Sequence, residues 1–176
     1  MRLLAISGSL RSGSSNTRLL EAARAVAPEG VDIVLYEGIG ALPHFNPDME
    51  DAPIEAVTAF RAALAASDGV IFSTPEYAHG LPGVLKNALD WVVGSSELAE
   101  KPVALFNASP RSTHAVASLT EILTVMSARV CGEAGLTVQL AGRALPEGGI
   151  AADADLARLL RAAIAAFARS IEAGSD

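Results

Sequence analysis

Between Gly8 and Thr17 the chain places Ser9, Ser12, Ser14, Ser15, Asn16 and Thr17, with Arg11 among them. Together these side chains are suited to wrapping an anion. Hydroxyls and amides donate hydrogen bonds, and a guanidinium adds a charge-assisted contact worth roughly 1.5–3 kcal/mol. Gly8 and Gly13 let the backbone turn tightly around such a ligand. A strand-like run, Leu3–Ser7, precedes the stretch and a helical pattern follows it. The loop therefore lies where the free N–H groups and dipole of a helix start attract negative charge. A linker could share this composition, but nothing would place it between a strand and a helix. The loop is not G-x-x-x-x-G-K-[ST], so a nucleoside triphosphate is disfavoured. It is not G-x-G-x-x-G either, and no acidic residue is read after the second strand in the usual dinucleotide arrangement. A terminal monophosphate, which presents three oxygens, suits it better.

A second stretch, STPEYAHGLPGVLKNALDWV, runs from Ser73 to Val92 after another strand pattern. Pro75 and Gly80 shape a turn there and Tyr77 supplies an aromatic. Backbone N–H and C=O groups in such a turn can pair with the polar rim of a flat ring. An ordinary strand-to-helix loop is the alternative. Other reactive side chains lack a catalytic frame. Cys131 is the one cysteine, so no intrachain disulfide forms, and it reads as a small buried hydrophobe. His44, His79 and His114 are far apart with no H-x-x-x-H or H-x-H pair, so no metal site is expected. No G-x-S-x-G elbow is present. Lys86 and Asp90 are spaced for an i, i+4 pair on one helix with Trp91, a structural or interfacial set.

The elements that must hold these stretches alternate. Strand candidates occur at Leu3–Ser7, Val31–Tyr36, Gly69–Ser73, Val103–Asn107 and Thr137–Leu140. Helical patterns lie at Thr17–Ala27, Pro53–Ala66, Leu81–Val93, Thr113–Arg129 and Asp153–Ala173. The last carries Leu156, Leu159, Leu160, Ala163, Ile164, Phe167 and Ile171 in one apolar stripe. Short apolar strands alternating with helices imply a doubly wound five-stranded parallel sheet covered on both faces, a three-layer α/β/α sandwich. The 176 residues are expected to form one domain. A net charge of −7 with no basic block argues against nucleic acid. The absence of a long apolar run argues against a membrane, and a cytoplasmic location is expected.

The motifs GSLRSGSSNTRLL and TPEYAHGLPGVLKNALDW, with LPHFNPDMED and ASDGVIFS between them, resemble the NADPH-dependent FMN reductase family. That family is flavodoxin-like and includes quinone, azo-dye and chromate reductases. The resemblance implies bound FMN, NAD(P)H as co-substrate and a small-molecule electron acceptor. It implies that Ser9, Arg11, Ser15, Asn16 and Thr17 hold the FMN phosphate. Pro75, Glu76, Tyr77 and Ala78 would lie against the isoalloxazine ring, and Ser109, in NASPRST, would contribute a third contact. No side chain is expected to be catalytic, because hydride transfer between nicotinamide and flavin needs no protein base. On this reading His79 packs or faces substrate, and Glu76 is not a general base. The helix from Leu81 to Trp91 corresponds to one used in subunit contacts, implying a homodimer or homotetramer. The chain departs from the family in having Ala78 where Asn is common, and Pro110, Arg111 and Ser112 where paired glycines often stand. An electron-carrier flavodoxin without nicotinamide activity is the rival reading.

Overall fold

The computed structural model describes residues 1–174. Its strands are β1 (Arg2–Ser7), β2 (Asp32–Leu35), β3 (Gly69–Ser73), β4 (Pro102–Asn107), β5 (Arg129–Val130) and β6 (Leu136–Thr137). Its helices are α1 (Ser15–Ala25), α2 (Glu55–Ala65), α3 (Gly83–Asp90), α4 (Thr113–Val125) and α5 (Ala154–Ala173). All strand pairs are parallel, in the order β2-β1-β3-β4-β5, and β6 also pairs with β4. This is the doubly wound 2-1-3-4-5 order, with its switch point between β1 and β3. The doubly wound three-layer sandwich expected from the alternation, flavodoxin-like as the resemblance implies, is the fold observed.

Successive residues of a strand face opposite sides, and β1 shows the result. Leu3 and Ala5 join a core with α1 and α5, through Leu19, Leu20, Leu160, Ile164 and Phe167. Leu4 and Ile6 join a second core with α2, α3 and α4, through Phe60, Leu64, Leu85, Trp91, Leu119 and Leu123. β3 is buried along its whole length. That explains why central strands read as continuous apolar runs.

The fifth sheet position differs from expectation. α4 ends at Val125, not Arg129, because Ser127 adopts a left-handed φ of 60° and turns the chain into β5. β5 pairs with the start of β4, at Pro102 and Val103, and β6 with its end, at Phe106 and Asn107. A short 3-10 turn at Gly132–Ala134 separates them, so one edge position is filled by two pieces. The expected strand Thr137–Leu140 reflects a real alternation, since Leu136, Val138 and Leu140 are buried. Val138 N donates to Asn107 O at 2.9 Å, carrying the pairing past β6.

α3 is shorter than expected, Gly83–Asp90. Trp91 is 1% exposed and belongs to the core, which makes it structural and not interfacial. Its indole Nε1 donates to Pro43 O at 2.8 Å, and Asn87 Nδ2 donates to the same oxygen at 2.9 Å. Asn87 Oδ1 accepts from Phe45 N at 2.7 Å. α3 thus pins the loop between β2 and α2, the LPHF segment.

Candidate functional site

Three loops follow β1, β3 and β4 at the carboxyl edge of the sheet, beside the switch point where open α/β folds bind ligands. The first loop is tied down from within. Ser14 caps α1 by accepting from Thr17 N, and the Ser7 and Thr17 hydroxyls share a 2.7 Å hydrogen bond. Gly8 N donates to Ser73 O at 2.8 Å, and a Cβ at Gly8 would come within 2.4 Å of Thr74 Oγ1. Only glycine permits this approach of the first loop to the second.

Several donors at this loop remain unspent. The first helical bond of α1 runs from Arg18 N to Ser14 O, so the amides of Ser15 and Asn16 have no acceptor among the described residues. Arg11 is exposed and makes no ion pair among them. Ser9 and Ser15 are at least partly accessible. Asn16 is 7% exposed, and its Oδ1 accepts from Ser73 Oγ at 3.0 Å, so that oxygen joins α1 to β3. A cavity of about 270 Å³ opens from this loop toward the end of β2, lined in part by Ser9, Arg11, Thr17, Tyr36 and Glu37. Burial raises the pKa of the Tyr36 hydroxyl, which keeps it neutral. Glu37 is the second residue beyond β2, so an acidic residue does stand near the place that the sequence reading left empty, though without the glycine fingerprint.

The second loop folds into a two-residue turn. Tyr77 and Gly80 exchange backbone hydrogen bonds of 3.1 and 3.0 Å, and Ala78 and His79 between them have φ of 49° and 58°. Consecutive left-handed residues suit Asn and Gly, whereas this chain places Ala78 and His79 there. The amides of Glu76, Ala78 and His79 have no acceptor among the described residues, leaving three N–H groups at the turn. Tyr77 is 55% exposed. Pro75 accepts from Thr74 Oγ1 through its carbonyl at 3.1 Å. Glu76 caps a helix: its Oε2 accepts from Ala115 N at 2.9 Å, in the first turn of α4, where Ser112 provides no side-chain cap. A carboxylate there also meets the positive end of the helix dipole.

The third loop repeats the first. Ser9 N donates to Ser7 Oγ and Arg11 N to Ser9 Oγ, both at 3.3 Å. Ser109 N donates to Asn107 Oδ1 at 3.1 Å and Arg111 N to Ser109 Oγ at 3.3 Å. Ser109 thus occupies the place in its loop that Ser9 has in the first.

The structure also brings forward residues that the motif reading passed over. Leu10 is 64% exposed, and a Cβ at Gly40 would come within 3.0 Å of its Cδ2. An apolar residue inside a hydroxyl-rich loop was the available signal. His114 stacks on His79, with ring centroids 4.3 Å apart and planes 20° from parallel. These histidines are 35 positions apart in the sequence, and only the approach of the β3–α3 loop to the first turn of α4 joins them. The spacing that argued against a metal site therefore conceals a cluster.

A parallel sheet of this order, with donor-rich turns gathered at its switch point, defines a flavodoxin-like nucleotide fold. Residues 1–142 match the NADPH-dependent FMN reductase family, and the chain belongs to that family. An NAD(P)H-dependent FMN reductase of Pseudomonas aeruginosa is 41% identical over 112 residues, covering 62% of this chain and 60% of that one. A quinone reductase of Pseudomonas putida is 41% identical over 107 residues, covering 58% and 57%. The matched stretch thus spans less than two thirds of these curated relatives. The flavoenzyme NAD(P)H:(acceptor) oxidoreductase FerB of Paracoccus denitrificans superposes with a TM-score of 0.87 at 29% identity, covering 98% of both chains.

Proposed function

We propose that the chain, acting as one domain, binds FMN and passes electrons from NAD(P)H to a small acceptor such as a quinone, azo compound, metal oxyanion or free flavin. The observation that carries this reading is the set of unspent donors on adjacent loops: two amides and Arg11 at the start of α1, two amides in the Tyr77–Gly80 turn and that of Glu76 just before it. The first set suits a monophosphate and the second the polar rim of a flat ring, so the residues present fit FMN.

When bound, FMN supplies the electron chemistry. The chain's own part is binding and orientation. Ser9, Arg11, Ser15, Asn16 and Thr17 would hold the phosphate, Asn16 through its amide groups, because its Oδ1 is committed to Ser73. Pro75, Glu76, Tyr77 and Ala78 would support the ring, and Ser109 would shape the third wall. Glu76 would act by fixing the second loop to α4, since one of its carboxylate oxygens caps that helix. Fixed N–H dipoles at the turn would favour negative charge on a ring held there.

An apolar surface on α3 and α4 supports self-association. Val93 and Val125 are exposed, and Leu89, Ile122 and Met126 line a depression of about 210 Å³ between the helices. We place the homodimer or homotetramer contact there, next to the Lys86–Asp90 pair at 2.5 Å. No helix among the described residues is long and apolar enough to cross a membrane. Dependence on the NAD(P)H pool favours a cytoplasmic location.

The test is anaerobic mixing of FMN-loaded protein with NADPH or NADH. Rapid loss of the flavin's visible absorption, restored by a quinone, is expected. A flavin that binds but is not bleached by either nicotinamide would mean an electron carrier. A protein that does not bind FMN would overturn the whole reading.

A further inference from the structure

We infer that Glu76, His79 and His114 form a binding site for a divalent transition-metal ion of the zinc class. A carboxylate oxygen and one nitrogen from each imidazole lie within 4.8 Å of one another. Two imidazoles and one carboxylate are a borderline-soft donor set that zinc accepts readily, with a fourth position open to water or a further ligand. Bonds of about 2.0–2.2 Å require donors roughly 3.4 Å apart in a tetrahedron, so the cluster must contract by up to about 1.4 Å. The side chains permit this. Both histidines are exposed, and the 20° tilt between their stacked rings can open without disturbing the core. The carboxylate is held in place by the 2.9 Å hydrogen bond from Ala115 N to Oε2, which uses one of its two oxygens and leaves acceptor capacity for an ion. The left-handed φ of 58° at His79 belongs to the tight turn that carries its ring back over His114.

An ion here would join the Tyr77–Gly80 turn to the first turn of α4, two segments otherwise linked by the Glu76 cap and the ring stack. If that turn supports the flavin ring, as proposed above, occupancy fixes it and restricts the acceptor's approach. The consequence for turnover rests on that reading. Metal binding itself does not.

The experiment is titration of tag-free protein, prepared without FMN, with Zn²⁺ by calorimetry. The parent should bind with saturation near one equivalent. His79→Ala and His114→Ala should each weaken binding by about tenfold or more, the scale of losing an important metal-site interaction. Glu76→Gln should weaken it too while keeping an oxygen for Ala115 N. His44→Ala, altering the remaining histidine, should bind like the parent. Circular dichroism establishes that each variant is folded. No saturable binding by the parent, or binding unchanged in both His79→Ala and His114→Ala, overturns the site. With FMN loaded, Zn²⁺ should slow NAD(P)H-driven quinone reduction in the parent and not in His114→Ala. Equal rates with and without Zn²⁺ in a metal-binding parent would refute the effect on the flavin face while leaving the site standing. Failure of the functional reading alone would appear as absent turnover with calorimetric binding intact.

Discussion

Replacing Asn87 by alanine should destabilise the protein by about 2–3 kcal/mol, because one side chain serves two backbone groups of a loop. The Phe45 N–H, which donates to Asn87 Oδ1 at 2.7 Å, would lose its partner in a partly buried position. Stranding such a donor costs about 1–3 kcal/mol. The second loss is smaller. Pro43 O gives up the 2.9 Å bond from Asn87 Nδ2 but keeps the 2.8 Å bond from Trp91 Nε1. The edge-to-face contact between Phe45 and Trp91, with centroids 5.2 Å apart, opposes collapse of the loop into the gap. Urea denaturation followed by circular dichroism measures the effect. With an m-value of about 2 kcal/mol/M, the midpoint should fall by about 1–1.5 M while the slope stays constant. The shared acceptor makes a sharper demand. Trp91→Phe alone leaves Pro43 O with Asn87, but the double variant leaves it with neither, so the double cost should exceed the sum of the singles by about 1 kcal/mol. An additive cycle, or a midpoint shift under about 0.25 M for Asn87→Ala, would show that these bonds do not hold the loop.

Arg11→Ala should weaken FMN binding by about 1–3 kcal/mol, toward the low end because the guanidinium is exposed, with the fold unchanged; an unaltered dissociation constant by fluorescence titration would remove Arg11 from the site. Gly80→Pro deletes the 3.0 Å bond from Gly80 N to Tyr77 O, so the turn should open and FMN bind less tightly. The flavin's midpoint potential should then fall by about 20 mV or more, the equivalent of one lost hydrogen bond of about 1 kcal/mol in a two-electron couple; equal potentials in FMN-saturated parent and variant would deny the turn that role. Ala78→Gly should stabilise the protein by up to about 1 kcal/mol, because relief of a left-handed alanine outweighs the added freedom of the unfolded chain, and a lowered melting temperature would count against that balance. Asp153 has its pKa held below the ordinary value by the Leu156 amide at the head of α5 and then by Arg143. A depressed carboxylate contributes stability above its unfolded pKa and loses it as pH falls through the folded one, so Asp153→Asn should flatten the stability profile below about pH 4; an unchanged profile would refute this.

The strand and helix alternation was legible because a parallel sheet buried on both faces forces apolar runs such as Gly69–Ser73, which no amphipathic strand would show. The fifth sheet position was not. Arg129 and Val130 make too short a run for periodicity to register, and the left-handed Ser127 that ends α4 is not a residue type that announces a helix stop. At the candidate site, residue types were readable and their partners were not. Ser14, Asn16 and Thr17 all looked like ligand donors. Yet Ser14 caps its own helix and Asn16 reaches across 57 positions to Ser73. Glu76 read as a ring contact and not a base, and its function as a cap of α4 depends on Ala115, 39 positions away. What converts such separations into contacts is the topology itself. In a doubly wound sheet every strand delivers its following loop to the same edge, so Ser7–Arg11 and Asn107–Arg111 lie at one edge with the same pattern of internal hydrogen bonds. The same delivery places His79 on His114. A cluster of this kind has no spacing signature, because its geometry belongs to the order of the strands and not to the distance along the chain.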